Sequence, residues 1–254
     1  MKENLFIIIP LHNEEEILEK NIIKLKKIFY RILLNNNFYF MLVDNDSSDR
    51  TQEVIQKLMK NYNILSTFCP KPNYGKALKY GIKALSNKNP SHIFFCDIEQ
   101  WDEVFFKWAW KNKNKFDISI GTKRSDYTLY KSTKIRYILS WGLNSLINLC
   151  FKYPGTDIHG PKLINKKIYK NIIPSCDLDR GQYDVEFVLK SFYSGYKIAE
   201  APVIYKEYRK ARINILKRII YNIFAFLKLR KKLINYSKKN KIISFNQFSR
   251  KDMI

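Results

Sequence analysis

Glycine and proline are scarce in this chain of 254 residues, eight of each, which excludes fibrous and low-complexity architectures. Cysteine is scarce too. Cys69, Cys96, Cys150 and Cys176 stand alone, with no C-x-x-C pair and no neighbouring histidine, so they read as reduced thiols and not as zinc ligands. Three histidines leave little material for an imidazole metal centre, and H-E-x-x-H is absent. Neither G-x-x-x-x-G-K-[ST] nor G-x-G-x-x-G occurs, which sets aside P-loop and dinucleotide-binding chemistry. No apolar run reaches the ~20 residues that a bilayer span needs. Met1-Lys2-Glu3 runs straight into a strand-like segment, unlike a secretory signal, so a cytoplasmic location is expected.

Acidic residues are also in short supply. There are 23 against 46 Lys and Arg, a net charge of +23 that predicts an anionic partner. Thirteen of the cations fall between Lys206 and Lys241, opposed only by Glu207. Within that tail, Ile213 to Leu229 has an apolar centre, Ile219 to Leu227, interrupted by Asn222 and flanked by Lys217, Arg218, Lys228, Arg230, Lys231 and Lys232. Such a helix lies in the interface of an anionic membrane, or else packs on the domain with a solvated basic rim. The first reading places the protein on the inner face of the membrane. Nucleic acid is not an expected partner, because no binding motif occurs and the aromatics follow core periodicity.

The body is rich in core formers, 46% hydrophobic with 15% aromatic. Strand-like runs (Leu5 to Pro10, Phe38 to Val43, Ile64 to Phe68, His92 to Cys96, Phe116 to Ile120) alternate with helical spacings. The helical stretches are Glu14 to Leu34, the segment after Asp49 or Ser48 as cap, Gly75 to Leu85 and Glu103 to Trp110. This alternation predicts βαβ units, hence an open, mostly parallel α/β sheet with helices on both faces. A long helix from Lys131 to Phe151, another from Gln182 to Tyr193 and a strand from Lys197 to Tyr205 follow. The predicted division is 1–212 for the α/β domain, with halves at about 1–122 and 123–212, and 213–254 for the basic amphipathic tail.

Ligands of open parallel sheets bind beyond the carboxyl ends of the strands. Four polar clusters fall there: His12-Asn13-Glu14, Asp44 to Asp49, Asn73 to Lys76 and Asp97-Ile98-Glu99. Asp97 and Glu99, one residue apart on extended backbone, leave from the same side and suit Mg²⁺ or Mn²⁺. A cation there could bridge and neutralise a leaving diphosphate. Asp44 can accept bonds from a nucleobase, and Lys76 can approach phosphate. Taken alone, Asp44 to Asp49 would merely form Asx turns and a helix cap.

Arranged in order, these segments resemble the family 2 glycosyltransferases of GT-A fold, in particular the dolichol-phosphate mannosyltransferase-like branch. Ile7-Ile8-Ile9-Pro10-Leu11-His12-Asn13-Glu14-Glu15 is similar to the opening strand and P-x-x-N-E turn, and Val43-Asp44-Asn45-Asp46-Ser47-Ser48-Asp49-Arg50-Thr51 to V-D-D-G-S-x-D-x-T, with Asn45-Asp46 in place of Asp-Gly. Asn73-Tyr74-Gly75-Lys76-Ala77-Leu78 then Gly81 resembles N-x-G-K-x-x-A-L-x-x-G, and Asp97-Ile98-Glu99 the D-x-D motif. Gly121-Thr122-Lys123, Thr156 to Lys162, Tyr183-Asp184-Val185-Glu186, Ala199 to Val203 and Arg209 complete the order, so the resemblance covers residues 4 to about 215.

The resemblance implies that Pro10, Leu11, His12, Asn13, Glu14, Asp44, Asp46, Asn73, Gly75 and Lys76 hold a nucleoside-diphosphate sugar. Asp97 and Glu99 would coordinate the metal, and Lys123, Arg136 and Arg209 would face the leaving diphosphate and an acceptor phosphate. Asp157 belongs to the acceptor side, and Asp184 and Glu186 stand beside it as candidate bases. The implied reaction is inverting sugar transfer to a lipid-linked acceptor, most simply a polyprenyl phosphate whose anionic oxygen needs no base. A glycan hydroxyl in surface polysaccharide synthesis is the alternative, needing Asp157, Asp184 or Glu186 as base. A non-catalytic basic binding protein is the reading of another class.

Overall fold

A computed structural model describes residues 3–33, 37–99, 101–123, 130–131, 134–206, 224–233 and 245–254. The apolar runs form the expected parallel strands β1 (Asn4–Leu11), β2 (Asn37–Asp44), β3 (Ile64–Phe68), β4 (His92–Phe95) and β5 (Ile118–Thr122). The sheet is completed by β7 (Lys162–Asn165), β8 (Ile198–Pro202) and β10 (Phe245–Gln247), in the order β10-β8-β5-β7-β4-β1-β2-β3. β7 runs antiparallel to both neighbours; every other pairing is parallel. β6 (Tyr130–Lys131) and β9 (Tyr205–Lys206) pair separately.

Continuous apolar runs arise because both sheet faces are covered. In β1, Phe6 and Ile8 enter one core with Met41 and Val43, while Leu5, Ile7, Ile9 and Leu11 enter the other with Phe40 and Leu42. The first core receives α3 (Tyr74–Ala84), α5 (Lys134–Phe151) and α7 (Gln182–Tyr193) through Leu78, Ile147 and Phe187. The second receives α1 (Leu18–Leu33), α2 (Thr51–Asn61) and α4 (Glu103–Lys111) through Leu25, Ile55 and Phe105. The fold is therefore the α/β class expected, an open sheet with helices on both faces.

Several boundaries differ from expectation for local reasons. Helix α1 starts at Leu18, since residues 14–17 form a turn in which Ile17 and Leu18 donate to the Glu14 carbonyl. Arg50 occupies the cap position of α2 without a side-chain bond, and Asp49 instead accepts from Thr51 N at 2.9 Å. Four residues headed by a lysine gave no strand signal for β7, and α6 (Lys166–Asn171) is too short for periodicity.

The last residues are not part of a separate tail. β10 extends the main sheet beside β8, Phe248 N donates to Glu200 O at 2.9 Å, and Met253 is buried. The Arg250 guanidinium forks onto Asp102, Nη1 to Oδ2 at 2.7 Å and Nη2 to Oδ1 at 3.1 Å, while Asp102 also caps α4. The remainder of the basic stretch, 207–223 and 234–244, lies outside the described residues. Residues 224–233 form a helix, α8, with Phe226, Leu229 and Leu233 in the core and Phe224 and Leu227 exposed. No helix among the described residues is long and apolar enough to cross a membrane.

Candidate functional site

The pairing register brings the predicted residues to one rim. Leu11 lies opposite Asp44, Ile8 opposite Phe95, Phe95 opposite Lys162, and Lys162 opposite Ile120, two residues before Thr122. The carboxyl ends of β1, β2, β4 and β5 and the start of antiparallel β7 thus share one edge.

On the donor side, two loops interlock through short polar side chains. Asn13 N donates to Ser47 Oγ at 3.0 Å, Glu14 N to Thr51 Oγ1 at 2.8 Å, and Ser48 N to Asn13 Oδ1 at 2.8 Å. Asp44, 4% exposed, accepts from Ser47 N at 3.1 Å, so the Asx-turn reading is realised at the very residue expected to meet a base. Asp46 has φ 60°, the left-handed conformation that glycine adopts readily. Pro10 is half-buried at the strand end and Leu11 lies in the core, so Leu11 offers a ligand backbone only.

Asn45 is the hub that the sequence did not reveal. Its carbonyl lies 2.9 Å from His12 Nδ1, its N–H donates to Leu11 O at 2.8 Å, and its Oδ1 accepts from Asn73 N at 2.8 Å. Asn73 in turn caps α3, accepting from Lys76 N at 3.1 Å, and its Oδ1 also receives Arg180 N at 2.9 Å. A Cβ on Gly75 would fall 2.8 Å from the Arg180 backbone, so only glycine allows this approach between donor loop and residues 179–180. The Lys76 ammonium lies 3.6 Å from Asp179.

Past β4, Ile98 is buried at 2% exposure while Asp97 and Glu99 are exposed on either side of it, on a segment that has left the strand and bends at 98–99. Among the described residues no three His, Cys, Asp or Glu gather into a metal-holding group. Two carboxylates plus substrate phosphate oxygens nevertheless match the way Mg²⁺ and Mn²⁺ bind in phosphate-handling sites.

The opposite side is built from buried charge. Asp157, 1% exposed, accepts from His159 N at 3.0 Å and from Lys123 N at 3.4 Å. Asp184 in α7 pairs with Lys162 at 3.3 Å, and both are sealed from solvent. Burial pushes the Asp184 carboxyl up to about 6; Lys162 opposes that, and the charges of Asp97 and Asp157 add to it. Glu186 does not join them. Two residues along the helix, it faces away, pairs with Lys190 at 2.9 Å and accepts Asp177 N and Leu178 N at 2.8 and 2.7 Å. That corrects its expected role: a fully buried carboxylate already holding a loop is not an acceptor base. Arg136 lies on α5 with its side chain undescribed, and Arg209 lies outside the described residues.

Lys162 and Glu200 carry no sequence signal beyond their places in the ordered motifs, yet both anchor this side. Glu200 is fully buried, and burial pushes it up to about 7 against the opposing bonds from Thr156.

Comparison with known proteins agrees with this architecture. Residues 6–101 match the model of Glycosyl transferase family 2. The uncharacterized protein MJ1222 of Methanocaldococcus jannaschii is 26% identical over 223 residues, covering 83% of this chain and 86% of its own. Glucosyl-3-phosphoglycerate synthase from Mycobacterium tuberculosis, solved with UDP, superposes with TM-score 0.64 at 13% identity, over 90% of this chain and 80% of that one. The mannosyltransferase PcManGT from Pyrobaculum calidifontis, solved with GDP-Man and Mn²⁺, gives 0.55 at 12% identity, over 95% and 77%. The structural likenesses show a GT-A-like fold, and residues 6–101 match Glycosyl transferase family 2, a match that marks the chain as a glycosyltransferase.

Proposed function

We propose that this glycosyltransferase moves a sugar, with inversion, from a nucleoside-diphosphate sugar to a lipid-linked acceptor, a polyprenyl phosphate, at an anionic membrane surface. The observation that carries the reading is the single rim on which the donor loops of β1, β2 and α3 and the exposed pair Asp97 and Glu99 open, with Asp157 and the Lys162-paired Asp184 buried at the same sheet edge. The donor loops receive the nucleotide and Lys76 the diphosphate. Asp97 and Glu99 would hold a divalent cation, which when bound supplies charge neutralisation to the leaving diphosphate. The acceptor's phosphate oxygen attacks the anomeric carbon, forming the new C–O bond as the bond to the nucleoside diphosphate breaks. Lys123 and Arg136 are assigned to the two phosphate groups, and Arg209 is assigned with them.

The lipid surface is favoured by α5 and α8, which pack together through the buried rings of Phe151 and Phe226, centroids 5.8 Å apart, and leave apolar groups outside. Trp141 and Leu149 on α5, and Phe224 and Leu227 on α8, are more than half exposed, and Lys228 and Lys231 continue the α8 stripe. Bulky apolar groups beside lysines are what an anionic interface selects.

Calorimetry with UDP, GDP and CDP, with and without Mn²⁺, tests the donor assignment: one nucleotide binds, more tightly with metal, and Asp97→Ala abolishes the metal effect and transfer. Absence of binding by all three, or full transfer by Asp97→Ala, overturns it. Flotation with phosphatidylglycerol and phosphatidylcholine vesicles tests the surface. Selective capture by the anionic vesicles, lost in Leu227→Glu, supports it; equal recovery with both vesicle types removes the membrane from the reading.

A further inference from the structure

We propose that Glu200 is a positioning residue for sugar transfer, the common anchor that sets Asp157 and Lys123 in register. The roles of those two groups rest on the functional reading above. Glu200 Oε2 accepts from Thr156 N at 2.8 Å and from the Thr156 hydroxyl at 3.0 Å, while Oε1 accepts from the Tyr153 hydroxyl at 3.3 Å. Because Thr156 gives its hydroxyl proton to the carboxylate, the Thr122 hydroxyl is the donor in the 2.7 Å contact between the two threonines. Thr156 precedes Asp157 and Thr122 precedes Lys123. One carboxylate therefore fixes two chain segments that are distant in sequence, and Lys123 N closes the link by donating to Asp157 Oδ2 at 3.4 Å. From the α5 side, Asn144 Nδ2 donates to Thr156 O at 2.6 Å.

Two features argue for more than packing. The neighbours of Glu200 on the same strand, Ala199 and Ala201, are fully buried alanines, so the strand itself needs no charge there. A buried carboxylate is costly unless its bonds are well made, and apolar replacements are often better tolerated. The chain also comes so close at Gly155 that a Cβ would lie 2.2 Å from Glu200 Oε1 and 2.3 Å from the Tyr153 ring. The loop is drawn onto the carboxylate, and the residue it presents to the rim is Asp157.

The test compares Glu200→Gln, Glu200→Leu and Thr156→Val in the full chain. Glutamine keeps an oxygen for both Thr156 donors, and its transfer rate stays within about threefold of wild type. Leucine keeps the volume and removes the acceptor; kcat falls on the order of 100-fold, the scale of a misplaced catalytic group, while nucleotide affinity by calorimetry stays within twofold. Wild-type turnover in Glu200→Leu, or an equal loss in Glu200→Gln, overturns the proposal. Where the leucine variant fails to fold, Thr156→Val removes the hydroxyl that bonds both Glu200 Oε2 and the Thr122 hydroxyl while leaving the Thr156 N–H on Glu200, and an unchanged kcat for transfer there overturns it. Amide exchange separates this from failure of the functional reading. If wild type transfers no sugar, faster exchange at Thr156 in Glu200→Leu, with native exchange in Glu200→Gln, still supports the anchor, and native exchange in Glu200→Leu refutes it.

Discussion

The two sides of the rim hold polar groups at the same sheet edge by opposite means. Over β1 and β2 the work is done by Asn13, Ser47, Asp49 and Thr51, short side chains that accept from backbone N–H groups, all but the buried Thr51 at or near the surface. Ion pairs there, such as Lys57 with Glu19 and Arg50 with Glu15, are exposed. Around Asp157 the groups are Lys162 with Asp184, and Glu200, all at most 2% exposed. A solvated rim tolerates loss of any one contact because water replaces it. A buried floor does not, since each lost partner strands a charge. On the proposed function, the first side suits a ligand that brings its own charge, and the second side fixed geometry.

The sharpest way to break this comparison is to delete one lysine from each side. Lys162→Met leaves Asp184 without its partner and the Gly160 carbonyl without its donor, and should cost about 3 kcal/mol of unfolding free energy. Lys57→Met removes an exposed pair and should cost less than about 1 kcal/mol. Urea midpoints of the two variants decide it, and equal shifts would erase the distinction.

Titration sharpens the same point. Burial raises Asp184 to about 6 from 3.8 and Glu200 to about 7 from 4.5, so the folded chain holds both protons to higher pH than the unfolded chain does. Their contribution to stability is complete below the ordinary values and is lost as pH rises through the folded ones, between about 4 and 7. Glu200→Gln removes one of the two titrations. It should stabilise the protein at pH 8 relative to wild type by up to about 3 kcal/mol, with much less difference at pH 4. Matched urea titrations at the two values measure this, and parallel pH profiles would exonerate Glu200.

The same contrast explains what was legible in the sequence. β1 and β2 announce themselves because both faces of each are apolar, and the donor loops because turn formers cluster after them. Helix α7 spans Gln182–Tyr193 as its spacing predicts, but periodicity said nothing of whether Asp184 or Glu186 faces the rim. Burial of a lysine such as Lys162 depends on Asp184 and Gly160, and that of Glu200 on Thr156 and Tyr153, partners that no local pattern reveals. Strand β10 escaped for a related reason: three residues, mostly polar, gain their place from an edge that β8 leaves open.

The smallest expected effect lies on the donor side and tests whether its loops are as forgiving as the comparison requires. Asp46 sits at φ 60° and exposed, in the turn that ties Asp44 to Ser47. Asp46→Gly relieves the left-handed strain that an L-residue feels there, worth about 1 kcal/mol, but gives the unfolded chain a similar amount of extra freedom. The two nearly cancel, so stability should move by less than about 0.5 kcal/mol and nucleotide affinity by less than about twofold. Asp46→Val keeps the strain and adds a branched side chain disfavoured at positive φ, so it should lower stability by about 1–2 kcal/mol. A large loss in the glycine variant would mean that the Asp46 carboxylate itself contacts the donor, and that the donor rim depends on charge much as the acceptor floor does.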